Sequence, residues 1–231
     1  MKRNIYSLLI VFTIISGCKS VDDGGFSQFD EAPLFGMIYD SESSPVDGAL
    51  VVLDDGESSQ TDINGRVLFG SVSRGEHSVA ISKEGFEETR IVLNFSNRDQ
   101  VLYSTLISIE SILDNLENTL NIGKMTEAKS FLKRAEKINS EDIRFRYLNV
   151  VYLSEINEYT DALKEIDLLK RIYPNDPYII MTQAKILFYG LNRRVEALEL
   201  LQDFSQPNKN EELEILLEKM DSEITTGETN D

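Results

Sequence analysis

A single histidine, His77, and a single cysteine, Cys18, limit the chemistry that this chain can perform. One histidine cannot build a multi-histidine zinc site, and one cysteine cannot form an intramolecular disulfide. His77 alternates with apolar residues on a predicted strand, which is typical of a structural or solvent-facing histidine. The acidic pairs Glu87-Glu88 and Glu211-Glu212 lie in polar strand–turn or helix-surface contexts and predict solvated faces. We therefore expect no enzymatic activity and no catalytic residue.

Two acidic sequences, Asp54-Asp55-Gly56 and Asp62-Ile63-Asn64-Gly65, could be mistaken for calcium-binding loops. Both lack the further spaced carboxylates and the terminal glutamate of an EF-hand loop. Neither Gly24-Gly25 nor Gly75 lies between a strand and a helix in a nucleotide-binding motif. We interpret the two acidic sequences as structural turns and expect no cofactor and no metal.

The N-terminus carries the pattern of an export signal. Lys2 and Arg3 precede an apolar run over residues 5–15, and small residues then lead to Cys18. The apolar run is about half of the ~20 residues that a membrane-spanning helix needs. The sequence therefore predicts a chain that is exported and does not span the membrane.

The segment Ile15-Ser16-Gly17-Cys18 resembles the lipobox of bacterial lipoproteins. The resemblance implies a signal peptide over residues 1–17, cleavage before Cys18 and a diacylglycerol on its sulfur. An ordinary signal peptide with a chance cysteine is the alternative. Because buried acyl chains contribute about 0.8 kcal/mol per methylene, several chains anchor a protein permanently. Lys19 follows the cysteine where enterobacterial lipoproteins kept on the inner membrane have Asp, so we expect a lipid-anchored protein of the cell envelope, on the outer membrane.

The charge of the chain constrains its partners. The whole chain has 23 basic and 40 acidic residues, and removal of residues 1–17 takes away two basic ones, leaving 21 minus 40, or −19. Such an acidic chain argues against a nucleic-acid partner and against a polybasic membrane patch. We therefore expect membrane contact through the lipid and no nucleic-acid partner.

Changes of composition divide the mature chain into a tether, two domains and a tail. Residues 18–33 are polar and aperiodic, as in a flexible tether. Residues 34–106 contain short β-branched runs separated by turn residues, which predicts a β-sandwich. Residues 107–224 place Leu, Ile and Ala at helical spacing, and residues 225–231 predict a disordered tail. The predicted fold class is multidomain, β then α.

The β-domain resembles the transthyretin-like module known as the carboxypeptidase regulatory-like domain. The residues that carry the resemblance are Gly36–Asp40, Pro45–Leu53, Thr61–Phe69 and Arg74–Phe86. Pro45 presets a turn, and Gly65 supplies the positive φ of a tight connection. The resemblance implies a non-catalytic β-sandwich.

The helical half resembles a run of tetratricopeptide repeats. Ala128, Ala162 and Ala197 recur at spacings of 34 and 35 residues, which is the period of this family. The small residue allows the two helices of a unit to cross closely, while Leu132, Ile166 and Leu201 fill the space beyond. The resemblance implies a solenoid of paired helices that is closed by a charged helix over Glu211–Ile224.

The repeats depart from the family pattern. Leu116, Val150 and Lys185 occupy a position where the family has a small residue, and the third unit carries one extra residue near Gly190. A generic helical bundle is therefore the alternative to a solenoid.

The resemblance implies a protein-interaction scaffold, because stacked helix pairs form a groove that holds peptides or partner helices. The family pattern places eight residues in the groove: Arg144, Tyr147, Val151, Ser154, Ile179, Thr182, Ile186 and Tyr189. Packing at the edge of the core is the alternative role for Tyr147 and Tyr189.

The alternative function is binding of a glycan or surface ligand by the β-sandwich, with the helices as a spacer. The chain contains no Trp on which a sugar could stack.

Overall fold

The computed structural model describes residues 30–54, 56–206 and 210–227. The export signal, Cys18, most of the predicted tether and the last four residues lie outside this range, so their predictions stay predictions. The described chain is a β-half over residues 31–106 followed by a helical half.

Among the described residues, seven strands form two sheets that enclose one core. The strands are β1 (Glu31–Asp40), β2 (Leu50–Leu53), β3 (Glu57–Gln60), β4 (Arg66–Ser73), β5 (Gly75–Ser82), β6 (Thr89–Phe95) and β7 (Val101–Leu106). One sheet has the order β4-β1-β7 and the other β3-β2-β5-β6. All pairs are antiparallel except β1 with β7, which is parallel.

Alternation of apolar and polar residues fixes which side of each strand is buried. In β1, Ala32, Leu34 and Ile38 point into the core, and they meet Val51, Ile81 and other residues of the second sheet. β1 begins at Glu31, so the last three residues of the predicted tether belong to this strand.

The predicted turn at residues 62–65 is held by Asp62. Its Oδ1 accepts backbone N–H bonds from Asn64 at 2.9 Å and Arg66 at 2.8 Å, and these bonds lower the pKa of its carboxyl. Gly65 adopts φ +70°, and a Cβ at this position would collide with the carbonyl oxygen of Ile38. The turn is therefore structural, and only glycine fits its fourth position without displacement of β1.

Seven α-helices follow the sheets in the part of the chain that the structure describes. They are α1 (Ile109–Asn121), α2 (Met125–Asn139), α3 (Ile143–Glu155), α4 (Tyr159–Ile172), α5 (Pro177–Lys185), α6 (Arg194–Ser205) and α7 (Glu211–Gly227). α7 continues three residues beyond the predicted end at Ile224. No helix in the described ranges is long and apolar enough to cross a membrane.

The helices pack as successive pairs, α1 on α2, α3 on α4 and α5 on α6, with α7 against α6. Ala128, Ala162 and Ala197 are all fully buried, at the positions where the sequence predicts close helix crossings. Their small side chains let the helices approach, and larger apolar residues fill three neighbouring core clusters.

The extra residue of the third unit is absorbed by a π-helical turn. α5 continues directly into this turn, Ile186–Gly190, where Leu191 N–H bonds the carbonyl of Ile186 at 3.0 Å. A π-turn is a helix with one residue inserted. The sequence interpretation of Lys185 is corrected accordingly: Lys185 is exposed, and fully buried Ala184, 34 residues after Val150, occupies the equivalent position.

A short contact joins the two halves. Glu87 N–H bonds the carbonyl of Ile107, and Ile109 N–H bonds that of Gly85, both at 2.8 Å. Arg134 of α2 donates two hydrogen bonds to the Glu87 carboxylate, at 2.9 and 2.7 Å. This bidentate ion pair lowers the pKa of Glu87 and connects α2 to the β-half.

Candidate binding groove between the third and fifth helices

α3 and α5 both begin at an aspartate, and the two aspartates line a common cavity. Asp142 accepts the Phe145 N–H at 2.9 Å, and Asp176 accepts the N–H groups of Tyr178 and Ile179 at 2.8 and 3.2 Å. These carboxylates satisfy N–H groups that the helix cannot bond itself and offset the positive end of each helix dipole. The groove between α3 and α5 therefore opens at two helix ends that already hold negative charge.

The first cavity lies at this end of the groove and has a volume of about 520 Å³. Its lining is mainly aromatic and aliphatic, with Tyr147 and Ile143 from α3, Tyr173 from the end of α4, and Tyr178 from α5. The cavity is large enough for a side chain from a partner, which would be buried against these rings.

The second cavity continues the groove toward the other end of the same helices, with a volume of about 410 Å³. Tyr147 lines both cavities. The second is also lined by Tyr159 at the start of α4 and by Tyr189 and Gly190 of the π-turn. A Cβ on Gly190 would lie 2.6 Å from the ring of Tyr159, so glycine allows the turn to close onto that ring.

The structure places all eight predicted groove residues around these two cavities. Arg144, Tyr147 and Ile179 line the first, and Tyr147, Val151, Ser154, Thr182, Ile186 and Tyr189 line the second.

Their roles in the groove differ. Ile179 and Ile186 are buried in a core cluster with Ala162 and so form the floor. The hydroxyls of Ser154 and Thr182 bond carbonyls one turn back in their own helices, at 2.8 and 2.7 Å. Any partner in the groove would therefore contact mainly the tyrosines.

Arg144 is directed toward α1. Its guanidinium bonds Asp114 and Glu117, each at 2.7 Å, and these bonds raise the pKa of Arg144 above its ordinary value. The charge of Arg144 is thus already met by two carboxylates. We interpret this residue as a brace between α1 and α3.

Tyr189 connects the groove to the closing helix. Its hydroxyl donates to Glu223 of α7 at 3.1 Å, and Lys219 lies 5.9 Å from the centre of its ring. Burial, together with the bond to Glu223, raises the pKa of Tyr189. Because the ring remains 51% exposed, it can still pack against a partner.

Three tyrosines of the groove were missed by sequence reasoning: Tyr159, Tyr173 and Tyr178. The family pattern was carried over only to selected positions on the first helix of each unit. Tyr159 and Tyr173 lie at the start and end of α4, and Tyr178 lies in the first turn of α5, one residue before the first position carried over on that helix. The Asp176-Pro177 start signal of α5 could have located Tyr178, since it fixes the first turn of that helix.

His77 lies in the β-half, away from the groove, and is buried with 7% exposure. Its Nδ1 is 2.6 Å from the Asp54 carboxylate, and its Nε2 is 2.8 Å from the carbonyl oxygen of Ser73. Both ring nitrogens are engaged, which suits a structural role. Within the described ranges, no three His, Cys, Asp or Glu side chains are grouped to hold a metal ion.

No protein-family model and no curated protein matches the chain. Similar solved structures include a 3-chlorocatechol 1,2-dioxygenase from Rhodococcus opacus 1CP, at 15% identity and TM-score 0.28, with 35% of this chain and 61% of that chain covered. The Bacillus anthracis TIE protein matches at 16% identity and TM-score 0.29, with 34% and 17% covered.

A type II cohesin–X-dockerin complex from Acetivibrio cellulolyticus matches at 23% identity and TM-score 0.23, with 33% and 51% covered. In all three cases the match spans less than two thirds of the other chain. At these TM-scores the likenesses carry no argument about function.

Proposed function

We propose that this chain is a non-catalytic, lipid-anchored envelope protein that holds a segment of a partner protein in the groove between α3 and α5. In this proposal the β-half is a transthyretin-like sandwich, and the helical half is a short tetratricopeptide-like solenoid closed by α7. The observation that carries the proposal is the pair of adjoining cavities, of about 520 and 410 Å³, which meet at Tyr147.

The shape of the groove favours an extended segment over a small molecule. Two cavities in a row, joined at one ring, match two side chains along a peptide. Five of the nine tyrosines of the chain line them: Tyr147, Tyr159, Tyr173, Tyr178 and Tyr189. Tyrosine is enriched at binding hot spots because it buries a large area at a small cost in conformational entropy.

The charges along the groove favour a basic segment. Asp142, Asp176 and Glu155 line the cavities, while among the described residues Lys185 is the one lining cation besides Arg144, which is paired with Asp114 and Glu117. A segment with an apolar or aromatic anchor flanked by Lys or Arg would complement both the cavities and the carboxylates. An acidic segment would meet repulsion at both helix starts.

The groove is tested by photo-crosslinking in the native envelope. A photoreactive side chain at Tyr178 or at Tyr189 should capture the same protein from opposite ends of the groove. The matched control replaces Ile215, which is 59% exposed on α7 and lines neither cavity. Equal capture from Ile215 would exclude the groove as the binding surface.

With the captured partner purified, Tyr147→Ala should weaken binding at least about tenfold, because one ring is removed from both cavities. The affinity of the parent chain for the partner should fall as the salt concentration rises, since carboxylates of the groove attract the partner. Unchanged affinity of Tyr147→Ala would contradict the proposal.

Anchoring is tested separately with Cys18→Ser. We expect this variant to remain uncleaved and without lipid, while the parent chain is cleaved before Cys18 and carries a lipid. Cleaved and detergent-partitioned Cys18→Ser would show that the chain is held at the membrane in another way.

A further inference from the structure

The outer face of the three-stranded sheet exposes a continuous apolar patch. Phe35 of the central strand has Leu68 of β4 on one side and Val101 of β7 on the other, as direct cross-strand partners. Met37, two residues on, is paired with Tyr103. Phe35, Leu68 and Tyr103 are 54%, 51% and 65% exposed, so these three side chains contact solvent. We name these five residues the outer apolar face.

The opposite sheet shows that such a patch is not a general property of this β-half. Its most exposed large apolar residue is Val92 on β6, which is paired with Ser78. The exposed neighbours of Val92 along the strand are Arg90 and Asn94. A single apolar side chain among polar ones needs no partner, whereas a contiguous cluster of exposed apolar side chains marks an interaction surface.

The position of the outer apolar face relates it to the predicted anchor. The face is carried by the first strand of the fold, and Glu31 at its start follows Cys18 by 31 minus 18, or 13, residues. Thirteen residues span at most about 45 Å even when fully extended. A face held so close to a membrane has a high effective concentration there, so a weak contact becomes populated.

The charges of the face fit a lipid surface better than a second copy of the chain. Within its two cross-strand rows the only charged residue is Arg66, the other partner of Met37, and a cation at the edge suits a phosphate headgroup. Tyr103 combines an apolar ring with a polar tip, as do side chains at the membrane–water interface. Two copies of the chain from Cys18 onward, with a formal charge of 21 minus 40, or −19, each would repel one another.

We propose that the outer apolar face rests on the membrane surface to which Cys18 is attached. The occupant is the interfacial region of a bilayer of zwitterionic phospholipids. The inference relies on the proposed anchoring at Cys18 and adds a second, reversible contact that orients the protein on the membrane. Because the two halves are joined through Glu87 and Arg134, the contact also sets the orientation of the groove.

The chain contains no Trp, so a single introduced Trp reports its own surroundings. The chain from Cys18 onward is coupled through this lone thiol to a maleimide lipid in phosphatidylcholine vesicles. One variant carries Tyr103→Trp on the face, and the control carries Val92→Trp on the opposite sheet. Coupling fixes the tether chemically, so the result does not depend on lipidation in the cell.

We expect the emission of the Tyr103→Trp variant to shift to shorter wavelength when the chain is coupled to vesicles. Its emission should also lose intensity when brominated phosphatidylcholine replaces the ordinary lipid. The Val92→Trp variant should show neither change. Adding Phe35→Ser and Leu68→Ser to Tyr103→Trp should abolish the shift and the quenching, while an unchanged thermal melt shows that the chain remains folded.

Absence of quenching at Tyr103→Trp overturns the proposal while leaving lipidation of Cys18 to the Cys18→Ser test. Equal quenching at both positions overturns it as well, because the approach would then have no preferred face. A shift that appears without vesicles and grows with protein concentration would assign the face to a second copy instead.

Discussion

The β-half and the helical half bury their apolar side chains in different ways. The β-half has one core, built from strands far apart in the chain, since Leu34 of β1 and Leu102 of β7 belong to the same buried cluster. The helical half has three clusters, each drawn from helices that are close in sequence. A defect in the first should therefore weaken the whole core, while a defect in the second should pass from one helix pair to the next.

The largest effect is expected at Gly65 in the β-half. Gly65→Ala should reduce the free energy of unfolding by about 3 to 5 kcal/mol, since the new Cβ meets the Ile38 carbonyl at a positive φ. Urea unfolding of the full chain, followed by circular dichroism, measures the loss.

Gly48 is the matched control. It has a similar φ of +66°, but nothing lies within 4 Å of a Cβ there. Gly48→Ala should therefore cost only the conformational strain, about 1 to 2 kcal/mol. Equal losses at Gly48 and Gly65 would show that φ alone matters and that β1 yields to the added methyl group.

A smaller and differently distributed effect is expected at Ala162. Ala162 is fully buried in the cluster that also contains Val150 of α3 and Ile179 of α5. Ala162→Leu should overpack this cluster and cost about 1 to 3 kcal/mol. Hydrogen exchange should accelerate in α3, α4 and α5 together, with the β-half unchanged.

The control for Ala162 must leave both the core and the groove untouched. Ser154 does not qualify, because it lines the second cavity. Asp167 is exposed on the same helix as Ala162, and Asp167→Leu should leave exchange rates unaltered. Faster exchange confined to α4 in the Ala162→Leu variant would mean that the helix pairs do not support one another.

The division into β and α halves could be predicted from the sequence because it depends on local periodicity. Alternation of apolar and polar residues predicts the strands, and the recurring alanines predict the helix pairs. The start of β1 at Glu31 was missed, since the polar composition that suggests a tether continues into the strand.

Pairings between distant residues were not accessible to sequence reasoning. Arg146 is buried and bonds Glu141 at 2.7 Å and Glu165 at 3.3 Å, although its sequence context is that of a surface helix. The π-turn could be foreseen as one extra residue, but its location inside the helix required the packing of Gly190 against Tyr159. The sequence predicted eight positions that line the two cavities, but these include only two of the five lining tyrosines, Tyr147 and Tyr189.

The last difference between the two halves is their response to pH, because the only histidine of the chain lies in the β-half. Nε2 of His77 faces the Ser73 carbonyl and Nδ1 faces the Asp54 carboxylate. Both oxygens accept hydrogen bonds, so both nitrogens donate when the ring is a cation. Burial lowers the pKa of His77, but the bonds to Asp54 and Ser73 outweigh it and raise the pKa above its ordinary value.

The sign of the effect follows from these shifts. The contribution of His77 to stability is fully present below about pH 6.5, its unfolded pKa, and is lost as pH rises through the higher folded pKa. The bond to His77 and the Ser78 N–H bond lower the pKa of Asp54. The contribution of Asp54 is therefore present above about pH 3.9 and is lost as pH falls through its folded pKa.

We expect this pair to contribute about 1 kcal/mol at most, because the Asp54 side chain is 54% exposed and its interaction is screened by solvent. Urea unfolding from about pH 5 to about pH 9 should show the β-half losing this amount as His77 deprotonates. Asp54→Asn should flatten that slope, because the amide does not hold the cation. An unchanged slope in Asp54→Asn, or the same slope in hydrogen exchange of the helical half, would show that the pH response has another source.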